Sequence, residues 1–227
     1  MTTSGTFAFN PALGSLALSA FGRIQVRPTE LTQRHLFDAQ QESNFLLSEI
    51  SNLQPNLWTV GLTSTALVAG TATYSVAAQT VMILDAYITY GSPATDRLIF
   101  PVSRTEYASY PDKTSQGFPT VFWYDRLVAQ TITLWMVPDS AYTYTLNYYS
   151  CRQVQDTNYI NGQNVELPYR FLDAFVSGLA HRLSRIYRPE QEQIRAADYK
   201  RAWDIAAGQD VENVSLYIVP GLSGYYR

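Results

Sequence analysis

Charge is scarce in this chain. Asp, Glu, Lys and Arg together make up 15 % of its 227 residues and leave a net charge of −3, where a level of about 25 % charged residues is usual. So thin a coat leaves polar-neutral and aromatic surface to be covered, and burial against other subunits is one outlet. A compact monomer rich in Ser, Thr and Gln is the alternative. The negative balance speaks against a protein that grips nucleic acid, because neutralising phosphates takes clustered Lys and Arg. It leaves room for a surface past which DNA slides. Cysteine occurs once, as Cys151, which excludes an internal disulfide framework and fits a reducing compartment. No run approaches the ~20 apolar residues of a membrane span. The first residues, Met1-Thr-Thr-Ser-Gly5, lack the basic and apolar regions of a secretory leader. Neither a membrane partner nor export is expected, so Asn213-Val214-Ser215 reads as a chance glycosylation triplet.

Catalytic signatures are equally sparse. The two histidines, His35 and His181, fall on different predicted helices with no second His or Cys at ligand spacing, so no zinc site is expected. Cys151 and His181 form a conceivable nucleophile pair, but the third group that such a pair needs is missing. There is no GxSxG, no GxxxxGK[ST] and no GxGxxG after a strand. Asp85 and Asp96 have the residue type for glycoside hydrolysis, with nothing in the sequence to make them face each other. The expectation is a protein with no catalytic residue, metal or cofactor.

What is present is a patterned core. Hydrophobic residues make up 46 % of the chain and aromatics 14 %. Helical periodicity marks residues 10–26, 29–53, 168–187 and 189–208. In the first, Asn10-Pro11 reads as N-cap and first helical residue, and Leu13, Leu16, Ala17, Ala20, Phe21 and Ile24 share a face. The short connection suggests that the first two helices form an antiparallel hairpin. The third carries Phe171, Leu172, Phe175, Val176, Leu179, Leu183 and Ile186 on one stripe. The fourth shows two stripes, one of Ile194, Ala197, Ala202 and Ile205, the other of Ala196, Tyr199, Trp203 and Ala206. Two stripes suit a helix packed both within its subunit and against a neighbour, though a single wide core face would also produce them.

Between the helical pairs the period shortens. Strands are expected at 67–76, 81–90 and 97–102, a loop at 103–117, a hairpin from 121–124 and 131–136, and a strand at 142–152. The tail, 214–227, alternates apolar and turn residues. It reads as an arm of the kind that adds to a partner's sheet or groove, the alternative being a disordered terminus. The expected fold class is therefore α+β: a four-helix core built from N- and C-terminal helix pairs, an inserted antiparallel β subdomain and an extended C-terminal arm. The boundaries fall at 1–56, 57–165, 166–210 and 211–227.

Several stretches in this order resemble the head-to-tail adaptors of tailed bacteriophages, such as the tail tubular A type of short-tailed phages. They are Gly5-Thr-Phe-Ala-Phe-Asn-Pro11 before a helix, Arg27-Pro28, Leu-Leu-Ser-Glu-Ile-Ser-Asn-Leu53, Phe118-Pro-Thr-Val-Phe-Trp-Tyr-Asp-Arg126, Thr131-Ile-Thr-Leu-Trp-Met-Val-Pro138, Glu166-Leu-Pro168 and Ser223-Gly-Tyr-Tyr-Arg227. The resemblance implies a structural virion protein, assembled in the host cytoplasm. It would form a homo-oligomeric ring, usually of twelve subunits, between the portal and the tail, through which double-stranded DNA passes without sequence preference. Carried onto this chain, it puts the portal contact on Tyr217, Ile218, Val219, Tyr225, Tyr226 and Arg227. The subunit contact falls on Tyr199 and Trp203. The contact with a distal tail protein, nozzle or fibre, falls on Tyr107, Tyr110 and Lys113. A carbohydrate-binding or weakly hydrolytic tail module using the aromatic β region is the alternative, and a head-completion plug is a second.

Overall fold

A computed structural model describes residues 3–158 and 162–211. The chain is α+β, with five α-helices and a curled seven-stranded sheet. The helices are α1 (Leu13–Arg23), α2 (Gln33–Leu53), α3 (Arg104–Ser109), α4 (Leu172–Tyr187) and α5 (Glu192–Ala207). The strands are β1 (Val60–Ala66), β2 (Thr73–Ser75), β3 (Thr80–Tyr90), β4 (Thr95–Pro101), β5 (Gln116–Gly117), β6 (Val121–Asp125), β7 (Thr131–Trp135), β8 (Val137–Pro138) and β9 (Tyr144–Arg152). The large sheet has the order β1-β9-β3-β4-β6-β7-β2, and β5 and β8 pair separately.

The helix termini differ from the sequence reading in an instructive way. α1 starts at Leu13, with Ala12 rather than Asn10 at the N-cap and no side-chain cap. Its first N–H, on Leu13, instead donates to the Gln163 carbonyl at 2.7 Å, so a distant segment satisfies the orphan donor that Asn10 was expected to take. At the other end Gln25 adopts φ 63°, and the Val26 N–H reaches back to the Phe21 carbonyl at 3.0 Å. That left-handed closure, with Val26 buried behind it, stops the helix before Arg27-Pro28 is reached. α2 begins after Thr32, whose N–H donates to His35 Nδ1 at 3.2 Å.

α4 is the hub of the helical region. It packs against α1, α2 and α5, and α1 and α2 lean on it more than on each other, so the expected α1–α2 hairpin core is replaced by a central helix with three neighbours. This is why Ser177, expected off the buried stripe, is buried, together with Ala174, Gly178, Ala180 and Ser184. Ile186, expected on the stripe, is 47 % exposed. Gly178 sits where α2 and α5 close in. A Cβ there would lie 2.9 Å from Tyr199 Cε2 and 3.0 Å from a Leu46 methyl. The helical core contains three of the largest fully buried side chains, Phe21, Phe171 and Phe175, each worth about 2 kcal/mol of burial.

A second buried cluster lies on the sheet, formed by Val76, Ala86, Ile88, Ile99, Phe122, Ile132, Leu134, Tyr144, Leu146 and Tyr148. On β9 Tyr144, Leu146 and Tyr148 are buried, while Tyr142, expected within the strand, lies before it and is exposed. The expected hairpin is β6–β7, in register Val121↔Trp135 to Asp125↔Thr131. The strand expected at 67–76 is displaced. β1 precedes it, and only Thr73–Ser75 of that run is extended in the sheet. Gly70, at φ +80°, donates its N–H to the Pro138 carbonyl at 2.8 Å. That left-handed turn is what breaks the run. The sheet is also not wholly antiparallel, because β4 and β6 run parallel and need a crossover between them. The segment 103–117 supplies it.

Candidate interaction surfaces

The crossover is better ordered than the loop expected there. Ser103 caps α3 by accepting a hydrogen bond from the Glu106 N–H at 3.1 Å. Ser103-Arg-Thr-Glu106 is a capping-box spacing that the sequence displayed and the loop reading passed over. The short helix carries two tyrosines onto the β6–β7 hairpin. The Tyr107 ring stacks on Trp123 at 5.5 Å between centroids, and the Tyr110 ring on Trp135 at 4.3 Å. Trp135 Nε1 donates to the Asp112 carbonyl at 2.8 Å. Lys113 Nζ closes the group, donating to the Ala108 and Tyr110 carbonyls and lying 5.8 Å from the Tyr107 centroid. The structure thus brings together Tyr107, Tyr110 and Lys113 in one aromatic clasp at the surface. Stacking of this kind adds about 0.5–1.5 kcal/mol per pair beyond burial, enough to hold the crossover in one shape.

A second surface is the outer side of the helical region. Tyr199 and Trp203 turn inward. Tyr199 packs at Gly178 and places its hydroxyl 3.4 Å from Glu49 Oε1, and the Trp203 ring lies 5.5 Å from Phe171. Burial, with the nearby Glu49 carboxylate, raises the Tyr199 pKa well above its usual value. Of the two stripes read on α5, the one holding Tyr199, Trp203 and Ala206 faces α4, whereas Ile194 and Ile205 of the other are 59 % and 65 % exposed. α2 likewise presents two aromatics, Phe37 and Phe45, outward. Arg182 of α4 ties that helix to α2 by salt bridges to Glu42 and Glu49.

The third feature is the root of the C-terminal arm. Asp210 has a fully buried side chain, in a salt bridge with Arg170. Its other oxygen, Oδ2, accepts a hydrogen bond from the Leu57 N–H at 3.1 Å. The Arg170 guanidinium in turn lies over the Trp58 and Phe171 rings. This anchor fixes the chain beside the start of β1 just before the arm departs. No sequence signal marks it, since Asp210 looks like any acid after a helix-ending glycine. The arm's Tyr217, Ile218, Val219, Tyr225, Tyr226 and Arg227 lie outside the described residues.

Cys151 on β9 is buried, and burial pushes its thiol pKa up, Thr59 being its hydrogen-bonding neighbour. His181 on α4 packs beside Tyr199, Arg185 and Glu192, and burial lowers its pKa. Asp96 accepts from Thr89, the residue opposite it. Asp85 lies four residues along β3 from Thr89, so it is not the cross-strand partner of Asp96. A cavity of about 570 Å³ lies between α2 and the end of β9, lined mainly by Asn44, Ser48, Ser51, Gln79, Arg152 and Gln155. Among the described residues no group of three or more His, Cys, Asp or Glu is placed to hold a metal, and no helix is long and apolar enough to cross a membrane.

No curated protein matches the chain in sequence. A model of the SU10 adaptor protein family matches residues 20–218, a span that takes in the last turn of α1, the other four helices, the whole sheet, the aromatic clasp and the anchored root of the arm. The chain belongs to the SU10 adaptor protein family, and is accordingly a structural adaptor component of the phage virion.

Proposed function

We propose that this chain forms the adaptor ring between the portal and the tail, extending the channel through which double-stranded DNA passes, as the tail tubular A type does. The observation that carries the reading is the family match over residues 20–218. A ring of identical subunits is closed by heterologous contacts, so each copy must present two different patches. The outward Phe37 and Phe45 of α2 and the outward Ile194 and Ile205 of α5 supply two such apolar patches, with Tyr199 and Trp203 supporting the second from inside. The division at 1–56, 57–165, 166–210 and 211–227 gives each part a task. The helices close the ring, the β-rich segment offers the clasp residues Tyr107, Tyr110 and Lys113 to the distal tail protein, and the arm carries Tyr217, Ile218, Val219, Tyr225, Tyr226 and Arg227 to the portal. The net charge of −3 suits a lumen that DNA traverses without phosphate contacts holding it.

The test is the solution mass of the purified chain, alone and mixed with the portal of the same virus. A multi-subunit complex formed with the portal, and lost when residues 214–227 are deleted, is the expected result. A chain whose mass is indifferent to the portal would overturn the reading. The carbohydrate-binding alternative has less to draw on, because Trp123 and Trp135 each already give a ring face to a tyrosine.

A further inference from the structure

The two edges of the large sheet are unlike. At one end β2 has only three residues, and a very short edge strand is one of the usual guards against unwanted pairing. At the other end β1 has seven residues, Val60-Gly-Leu-Thr-Ser-Thr-Ala66, with no charge and no proline. Among the described residues it pairs with β9 alone. Five of its seven residues are exposed, Leu62 is 49 % exposed, and a Cβ added at Gly61 would meet nothing. Alternate N–H and C=O groups of an antiparallel strand point away from its single partner. β1 therefore offers a regular row of free donors and acceptors with none of the devices that normally blunt an edge.

The root of the arm lies beside the approach to this strand. Asp210 is tied to the Leu57 N–H, three residues before β1 begins, and to Arg170. The arm thus sets out from the N-terminal end of the open strand. Residues 211–213 can span up to about 10 Å. They are followed by Val214-Ser-Leu-Tyr-Ile-Val219, six uncharged residues rich in β-branched and aromatic side chains, and then by Pro220-Gly221, which ends a strand because proline has no N–H to give a ladder. Length, composition and stop signal all suit a strand that lies beside seven-residue β1.

We infer that the free edge of β1 is a strand-acceptor site and that its occupant is residues 214–219 of the same chain, added in parallel by main-chain hydrogen bonds as an eighth strand. A segment that starts beside the N-terminal end of β1 after a three-residue link can lie along that strand only by running in its direction, so the pairing proposed is parallel. Main-chain bonds provide the hold in this mode of recognition, and alternate side chains set the fit. The site uses Tyr217, Ile218 and Val219, the residues proposed above for the portal, so docking to a portal has to draw them off β1. The β1 site itself does not depend on the portal reading.

The test is residue-resolved amide hydrogen exchange on the full chain at concentrations where it is monomeric, compared with full-length Leu216→Pro and Ile218→Pro variants. The edge-facing amides of β1 should be protected in the parent. In either proline variant they should exchange roughly tenfold faster or more, since local opening alone then governs them. Amides of β9 and β3 should stay unchanged and report an intact sheet. Equal exchange of the β1 edge in parent and variants would overturn the proposal. So would protection that vanishes on dilution, because the occupant would then be a neighbouring copy's arm. A parent chain that shows this exchange behaviour yet does not bind the portal would count against the adaptor reading alone.

Discussion

Replacing Asp210 by alanine should cost this protein about 3 kcal/mol, a large effect for one acid after a helix end. The side chain is fully buried and serves two partners, the Arg170 guanidinium and the Leu57 N–H. Removing one member of a buried ion pair typically costs about 3–5 kcal/mol, because the other charge stays behind without a partner. Arg170 keeps 30 % of its side chain exposed, so water relieves part of that, and the pair alone falls at or below the low end of the range. The orphaned Leu57 N–H adds about 1 kcal/mol at the low end of its own range, bringing the sum to about 3 kcal/mol. For a chain of this size that amounts to a fall in Tm of roughly 6–12 °C, or an equivalent shift in the urea midpoint at unchanged slope. Asp210→Asn separates the two contributions, since its amide oxygen still accepts from Leu57 while the charge is gone, and it should lie between parent and alanine variant. An alanine variant within about 0.5 kcal/mol of the parent, the ordinary range for surface changes, would refute the claim that this anchor holds the end of α5 to the start of β1.

Three further outcomes are expected. Tyr110→Ala should remove the stack on Trp135 at a cost of about 1 kcal/mol, and limited proteolysis should then cut within 103–117 where the parent resists; unchanged cleavage would mean that the clasp does not order the crossover. Stability should fall on the acid side through Glu166. The bidentate Arg152 guanidinium holds this carboxyl below the usual carboxylate range, against the opposing effect of burial. Because the folded value is the lower one, the stabilisation is complete above the unfolded value of about 4.3 and is lost as pH falls through the folded value. Urea midpoints from pH 6 to pH 3 should therefore drop more steeply for the parent than for Glu166→Gln. Finally, the Cys151 thiol, buried with a raised pKa, should react with a disulfide reagent at least about a hundredfold more slowly in the native protein than in denaturant, and native reactivity equal to that of the unfolded chain would contradict its burial.

The sequence by itself determined the four longer helices, the strands β3, β4, β6, β7 and β9, and much of their inward faces. Helical spacing in 13–24, 39–50 and 171–183 and alternation in 144–148 identify residues that the fold does bury, because a side chain's direction is fixed by local backbone geometry with period 3.6 or 2. Local signals also stood in the sequence at two places where the expected loop and the expected strand proved wrong. The spacing Ser103-x-x-Glu106 caps α3, and Gly70 breaks the run that resembled a strand. Tertiary structure alone decided which element sits at the centre. α4 has three helical neighbours, and this buries Ser177 and Ser184 and leaves Ile186 in solvent. Its closeness to α2 and α5 depends on the missing Cβ of Gly178 meeting Leu46 and Tyr199, residues far away in sequence. The surfaces followed the same rule. Tyr107, Tyr110 and Lys113 were identifiable as a group because they sit within one short segment. Trp123 and Trp135 as their stacking partners, the inward turn of Tyr199 and Trp203, and Asp210 as the anchor of the arm all depend on pairings between segments far apart in the chain. A local pattern reports which way a side chain points, while the choice of what it meets belongs to the whole chain's packing.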